Sequence, residues 1–589
     1  MNHPEVDVVL VGLGWTGGIL AKELSEAGLR VVALERGGPR STAEDFALPR
    51  IRDELRYGIR HGLMQDSARD TLTVRNHPRE TALPMRRLGS FLPGEGVGGA
   101  GSHWNGLTWR WSDAEFRVRS LYEERHGKAF IPADMPLQDW GISYAELEPW
   151  YDRFERTAGV SGQAGNLQGR SVAGGNPFEA PRQRDYPLPP LHSGLAGQLY
   201  ADAARQLGWH PFPRPSANAS QAYTNPDGAQ FGECQYCGFC ERFGCEANAK
   251  GSPHFTVIPA ALRQPSFTLR THAWVTGVEL DKANASVARG VRYVDTLTAT
   301  EHYQPARLVV LSAYAINNVH LLLLSRIGQP YDAASGQGQI GRNYAYQGGV
   351  GAQLFFEDHQ FNPFMGTGGN GIASDDFNAN QGFDRGPVGA IGGALLGAGH
   401  SNGRPIAYRP LPAGTPRWGS AWKAATAHWY GRAMAVGASL SVMPHRHNAY
   451  DLDPTYRNAF GQPLLRLTFD YQANDQRLAA FAAERVNEVA RALKPSQWSP
   501  ASARASWSVV PYQTTHNTGG TPMGSSPAAS ATNNFGQLWQ VPNLFVTGAS
   551  LFPHNAAYNP TGLVGALAYR SADAIKRRYF QAPGRLLNA

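Results

Sequence analysis

Cysteine is nearly absent. The 589 residues hold four, and all four lie in CQYCGFCERFGC, residues 234–245. Thiols this close together cannot serve distant sites, so the cluster requires a local chemical reason. Long apolar runs are missing too: the densest stretch, LVVLSAYAINNVHLLLLS, is broken by asparagines and a histidine. It falls short of the roughly 18 to 20 residues a bilayer crossing needs, so the chain is not expected to span a membrane by itself. The start, MNHPEVDVVLVGLGWTGG, shows no basic leader before a strand-like run. Taken alone, that points to no secretory signal and to the cytoplasm. Basic blocks are absent as well. Lys plus Arg number 54 against 47 Asp plus Glu, a net +7 without a stripe interleaved with aromatics, which argues against nucleic acid as a partner. The 66 glycines and 41 prolines follow no short repeat, as expected of a loop-rich α/β protein rather than a fibrous or disordered one.

VDVVLVGLGWTGGILAKEL is apolar from Val6 to Val11, turns at Gly12, and continues with helical spacing to Leu24. Gly12, Gly14 and Gly17 form G-x-G-x-x-G at this strand-to-helix junction. The first glycine permits the tight turn, the second lets a pyrophosphate approach the backbone, and the third lets helix pack on strand. The phosphate then meets the positive end of the helix. A second β-run, RVVALE, ends in Glu35, placed to accept hydrogen bonds from a ribose hydroxyl. A bare glycine pattern also fits a simple turn; the flanking strand, helix and carboxylate favour dinucleotide binding. EGVGGAGSHWNGLTWR, residues 95–110, is a second glycine-rich turn leading toward a helix. Near the C-terminus, NLFVTGASLFP reads as a buried strand ending in a turn, and NAAYNPTGLVGALAYRSAD as Asn-Pro-Thr opening an apolar helix. Cofactor binding is therefore expected to be shared by both ends of the chain.

With THNTGGTPMGSS (515–526) added, these landmarks in order resemble the glucose–methanol–choline (GMC) family of flavin oxidoreductases. The resemblance implies FAD rather than NAD, held on its ADP side by Gly12, Gly14, Gly17 and Glu35. It further implies flavin or pyrophosphate contacts from Gly98, Gly99, Ser102, Asn105 and Ala549, contacts at the closing Asn559 and Thr561, and adenine contact near Val275. It carries a catalytic pair onto His516 and Asn559. Oxidising an alcohol requires removal of the hydroxyl proton while the carbinol hydride goes to flavin, and an imidazole suits the first task. Asn559 would hold the substrate oxygen by hydrogen bond. His103 and His554 neighbour flavin motifs and are expected to line the site. The chain departs from the family at Gly548, where many members carry aspartate, and at Asn559, where many carry histidine.

Three readings of the cysteines stand side by side. Cys234-x2-Cys237-x2-Cys240-x4-Cys245 approaches compact ferredoxin-type spacing, with a longer final gap and no following proline. A structural zinc site normally joins two knuckles across a longer loop. Local disulfides would close loops too short to stabilise much. The resemblance to bacterial membrane-associated GMC dehydrogenases, which act on gluconate, keto-gluconate, sorbitol, fructose or glucose, implies an iron–sulfur cluster. It favours the 3Fe–4S type on Cys234, Cys240 and Cys245, with 4Fe–4S open because Cys237 adds a fourth thiol. Such a cluster would pass electrons singly to haem.

The expected fold is α/β (α+β): a Rossmann-like FAD-binding domain from residues 1–330 and 495–589, and an antiparallel-sheet substrate domain from 331–494. Runs such as RAMAVGASLSVMP and PLLRLTFDY read as strands. The segment 136–224 is expected to add a helix and a long excursion. The resemblance implies a small export or assembly subunit and a multihaem cytochrome c subunit, with membrane contact through these partners at the periplasmic face. That would reconcile export with the missing leader. The expected substrate is a sugar acid or polyol, D-gluconate foremost, with oxidation to 2-keto-gluconate; the alternatives are a fructose, sorbitol, glucose or keto-gluconate dehydrogenase of the same family, or an oxygen-reducing oxidase of that family. Arg342, Arg404 and Arg432 are candidates for a two-pronged contact with its carboxylate, though each also reads as a solvated surface charge.

Overall fold

The computed structural model describes residues 1–46, 61–86, 91–363, 366–378, 384–399, 408–510 and 514–586. Val6–Val11 forms a strand buried at every position after Val6, as an apolar run covered on both faces should be. It pairs in parallel with Val31–Leu34 on one side and with Thr300–Leu311 on the other. Phe267–Arg270 extends the sheet beyond Val31–Leu34, and Leu544–Val546 extends it beyond Thr300–Leu311. The long strand Thr300–Leu311 works in two sheets: its first half pairs antiparallel with Ala288–Asp295, which pairs in turn with Ala273–Leu280.

The glycine turn behaves as its sequence demands. Gly12 sits at φ +91°, the left-handed region that glycine enters without steric cost. Gly17, in the helix Trp15–Glu26, lies so near the turn that a Cβ there would stand 2.1 Å from the Gly12 carbonyl oxygen. The C-terminal helix Thr561–Ala574 packs on Trp15–Glu26 and on Tyr144–Ala158, so the last helix of the chain is built into the first βαβ unit. Tyr144–Ala158 is the helix expected within 136–224; Ser143 and Glu146 close its first turn by a reciprocal capping box. EGVGGAG forms only a short 3-10 turn, Gly99–Ser102. Gly98, left-handed at φ +95°, breaks the helical run ahead of the turn, and a Cβ on Gly101 would come within 2.6 Å of the Pro253 ring.

A second sheet is antiparallel throughout. Its spatial order is Gln497–Ser499, Gly348–Phe355, Ala433–Leu440, Ala394–Ala398, Ile372–Phe377 and Pro211–Pro213. Its two edge strands come from outside 331–494. Ala433–Leu440, within the run RAMAVGASLSVMP, shows why the sheet has two faces. Met434, Val436, Ala438 and Leu440 pack with Leu478, Ala482 and Val486 of the helix Ala473–Ala492, while Ala435, Gly437 and Ser439 face the other way. PLLRLTFDY also forms a strand, Pro463–Thr468, but in a separate sheet beside Leu72–Arg75. Among the described residues no helix is long and apolar enough to cross a membrane.

The close contact of Gly17 with Gly12 makes a direct test. Gly17→Ala must push helix from strand, and should destabilise the protein by about 1–3 kcal/mol. Thermal melting measures this; an unchanged melting temperature would show that the turn tolerates a Cβ.

Candidate active site

The parallel strands end together at Val11, Leu34 and Leu311, and a cavity of about 810 Å³ opens at this carboxyl edge beneath the antiparallel sheet. Ligands of open α/β sheets bind there, where the connections from the central strand diverge to either side. Gly12, Gly14, Glu35, Gly99, Asn105, Val275, Ala549, Asn559, Thr561 and His516 all line it. Gly17, Gly98 and Ser102 do not: Gly17 and Gly98 shape the turns behind the wall, and Ser102 Oγ lies 3.2 Å from His254 Nδ1.

Several features fit a dinucleotide. The helices Trp15–Glu26 and Thr561–Ala574 both begin at the cavity, so two positive helix ends face it. A Cβ on Gly14 would project into open space, its nearest neighbour being the Gly98 carbonyl at 3.9 Å, which leaves the backbone bare for close approach. Glu35 accepts hydrogen bonds from the backbone N–H groups of Leu13 (3.0 Å), Gly37 (2.9 Å) and Gly96 (3.2 Å). Burial raises its pKa against these donors. His103 lines the cavity with Nε2 buried and without a hydrogen-bond partner, and burial lowers its pKa to about 3. Gly548 explains the departure from aspartate: its φ of +94° with ψ −169° is a conformation that side chains rarely adopt. The residues present therefore fit FAD.

His516 and Asn559 meet through a continuous hydrogen-bond chain. Trp109 Nε1–H donates to Asn559 Oδ1 at 3.0 Å, which turns the amide so that Nδ2 donates to His516 Nε2 at 3.2 Å. On the other side of the ring, Nδ1–H donates to Gln347 Oε1 at 2.7 Å. The Gln347 amide is itself fixed, because its Nε2 reaches the carbonyls of Ala556, Ala557 and Tyr558, each at 3.1 Å. This order leaves the lone pair on Nε2. Burial lowers the pKa of His516 to about 4, so the imidazole is neutral across the physiological range. Gln347 and Trp109 were not expected from the sequence; neither belongs to a motif, and their roles depend on segments that meet only in three dimensions.

Other expected residues lie elsewhere. His554 is fully buried outside the cavity, with Nε2 3.0 Å from Glu115. Arg342 donates to Gln339 and Arg432 to the Glu357 carbonyl; neither lines the cavity. Arg404 lies outside the described residues.

The cysteine loop abuts the cavity. Arg242 N–H donates to the His103 carbonyl at 2.7 Å, and Glu241 lines the cavity wall. Lys250, fully buried, donates to the carbonyls of Trp104, Cys240 and Phe243, each at 2.8 Å, tying the loop to the glycine-rich segment. All four thiols are free. Cys234 and Cys240 are buried and Cys237 is exposed. Burial, then the neighbouring thiols, raises the pKa of Cys234. Among the described residues no group of three His, Cys, Asp or Glu side chains is placed to hold a metal ion.

Comparison with known proteins agrees with this architecture. Residues 192–349 and 444–568 match the two GMC oxidoreductase domains. The chain is 46% identical over 593 aligned positions to the gluconate 2-dehydrogenase flavoprotein of Pantoea cypripedii, covering 99% of this chain and 96% of that protein. It is 24% identical to the fructose dehydrogenase large subunit of Gluconobacter japonicus, covering 97% of each. A solved structure of Aspergillus oryzae formate oxidase shares the fold with a TM-score of 0.59 at 14% identity, covering 99% of this chain and all of that one. A cavity fitted to FAD, a neutral imidazole within it and similarity along the whole chain lead to one assignment: the protein belongs to the GMC oxidoreductase family, FAD-dependent enzymes acting on CH–OH groups.

Proposed function

We propose that the protein is a sugar-acid dehydrogenase that oxidises D-gluconate to 2-keto-gluconate. The observation that carries this reading is the Nε2 lone pair of His516, held neutral by burial and flanked by the Asn559 amide. Gly12, Gly14, Glu35, Gly99 and Val275 would hold the nucleotide side of FAD, with Asn105, Ala549, Asn559 and Thr561 nearer the reacting ring. Gly17, Gly98 and Ser102 would support these contacts from behind the wall. Bound FAD supplies a hydride acceptor. The chain's own part is proton chemistry and placement: a substrate hydroxyl gives its proton to His516 Nε2, and Asn559 Nδ2–H donates to the same oxygen, fixing the carbinol carbon. Gln347 accepts from Nδ1–H throughout and stabilises the imidazolium that forms. The antiparallel sheet roofs the substrate, and the parallel sheet from both ends of the chain carries the cofactor.

The cysteine loop serves as the electron exit in this reading. Cys234, Cys240 and Cys245 would hold a 3Fe–4S cluster, or all four thiols with Cys237 a 4Fe–4S cluster. The donor set and its confinement to one loop beside the cavity support this. A cluster supplies one-electron transfer, here to a multihaem cytochrome c subunit. A relative named as a large subunit supports a partner subunit; the reading adds a small export subunit and a place at the periplasmic face of the membrane through these partners.

Two experiments test the reading. The neutral form of His516 predominates above pH about 4, so kcat/KM for D-gluconate should rise through that pH and level off below the ordinary histidine range. Gln347→Glu places a carboxylate on Nδ1–H, favours the imidazolium, and should move the limb upward. His516→Gln should lower kcat by roughly 10²–10⁴. A limb unmoved by Gln347→Glu would remove His516 as the base.

Low-temperature EPR on anaerobically purified protein addresses the thiols. A three-iron signal in the oxidised sample that disappears with D-gluconate is the expected result. Signal appearing only on reduction would indicate four irons with Cys237 as a ligand. Protein without iron that still oxidises gluconate would end the electron-exit reading.

A further inference from the structure

Arg214 is a charged residue of the cavity wall that takes no part in the proton chemistry at His516. Arg214 follows the edge strand Pro211–Pro213 and is fixed by its backbone N–H, which donates to the Gly371 carbonyl at 3.0 Å. Its side chain lies across the strand Ala394–Ala398, where two glycines make room for it. A Cβ on Gly397 would come within 2.4 Å of Nη2, and a Cβ on Gly399 within 2.7 Å of Nη1. Positions 397 and 399 are two apart and share a face, so both ends of the guanidinium rest on bare backbone. Arg214, Gly397 and Gly399 all line the cavity.

What distinguishes this arginine is the lack of a counter-charge. Among the described residues its guanidinium makes no ion pair and no side-chain hydrogen bond, and the ionisable group that acts on it is the Tyr200 phenol rather than a carboxylate. Burial accordingly draws its pKa down to about 10. The other arginines at the cavity differ. Arg36 is engaged by Asp70 at 3.5 Å, Glu95 at 3.7 Å and Gln65 at 2.8 Å, and Arg504 is solvent-exposed. A partly buried guanidinium with five donors and no acceptor is unfavourable unless an anion arrives to satisfy it.

The position of Arg214 narrows the choice of anion. It belongs to the antiparallel roof, on the wall made by Ala373, Leu395 and Gly397, whereas the two helix ends suited to phosphate belong to the parallel sheet below. Phe212, two residues earlier, packs edge-on against Trp109, the donor that orients Asn559. We propose that Arg214 binds the carboxylate of a sugar-acid substrate by a two-pronged contact and so selects acids over neutral polyols at the His516–Asn559 pair. This rests on the sugar-acid reading and adds to it the group that recognises the acid. Arg214 is thus a substrate-binding residue, and the glycines at 397 and 399 are the space it requires.

The test separates the proposal from the reading beneath it by measuring binding without turnover. Calorimetry on flavin-loaded, dithionite-reduced protein would compare D-gluconate with D-gluconamide, its uncharged analogue, for the unsubstituted protein, Arg214→Met and Arg214→Lys. Anaerobic flavin reduction by gluconate is recorded separately. Arg214→Met should weaken gluconate relative to gluconamide by roughly 10- to 100-fold, the range for a lost hydrogen bond to a charged group. Arg214→Lys should recover part of that ratio. Flavin content and melting temperature establish that each variant is folded and loaded. An unchanged gluconate-to-gluconamide ratio in Arg214→Met overturns the proposal, even if gluconate still reduces the flavin. Loss of bound FAD from that variant also overturns it, by assigning Arg214 to the cofactor. Gluconate that binds in an Arg214-dependent way but never reduces the flavin would keep the carboxylate site and reject the sugar-acid dehydrogenase reading.

Discussion

The structure hangs on the strand Thr300–Leu311. Its second half receives the first strand of the chain at Val11↔Leu311 and the last at Leu311↔Val546, so residues more than 500 positions apart end at one edge. The loops leaving that edge are then locked to one another. Ser312 Oγ donates to the carbonyls of Val11 and Gly12, and Asn318 Nδ2 donates to the Thr547 carbonyl. The glycine turn and the turn at Gly548 are positioned from these anchors. Without the pairing to Leu544–Val546, neither the turn at Gly548 nor the helix after Asn559 would have a fixed place beside the glycine turn. Its first half, meanwhile, carries the antiparallel strands that bring Val275 to the cavity wall.

The second constraint is the amide chain through His516. A histidine as general base needs one nitrogen free and the other held, and two amides perform this without adding charge. A carboxylate in place of Gln347 would stabilise the imidazolium and raise the pKa; the neutral amide leaves burial to dominate, and the pKa falls. Because Gln347 is gripped by three carbonyls just before Asn559, the two ends of the chain of bonds are set by the same segment, residues 556–559. The His516 ring and the Asn559 amide, proposed as base and positioning group, therefore cannot drift independently.

What the sequence discloses follows from how local each signal is. The glycine turn and Glu35 are legible because one βαβ unit contains all the residues that give them meaning. The four cysteines are legible because they are rare and adjacent. The edge strands Pro211–Pro213 and Gln497–Ser499 are not legible, being short, proline-bearing or isolated, and their membership of the roof is decided by partners far along the chain. Lys250 illustrates the same limit. Nothing in EANAKGSP marks it, yet it holds three carbonyls that attach the cysteine loop to Trp104.

The arginines show why type and exposure cannot be read separately. Arg342, Arg432 and Arg214 are equivalent in a sequence, each a cation flanked by ordinary residues. In three dimensions Arg342 reaches Gln339 and Arg432 the Glu357 carbonyl, contacts made outside the cavity. Arg214 is placed by a proline-rich edge strand that cannot hydrogen-bond as a central strand would, which suits the margin of the sheet where its side chain can turn inward. The feature that reveals it is the pair of small residues opposite: glycines at 397 and 399 leave a flat backbone surface where any larger side chain would fill the guanidinium's place. A charge and the space made for it arise from segments more than 180 residues apart, so their relation exists only in the folded sheet.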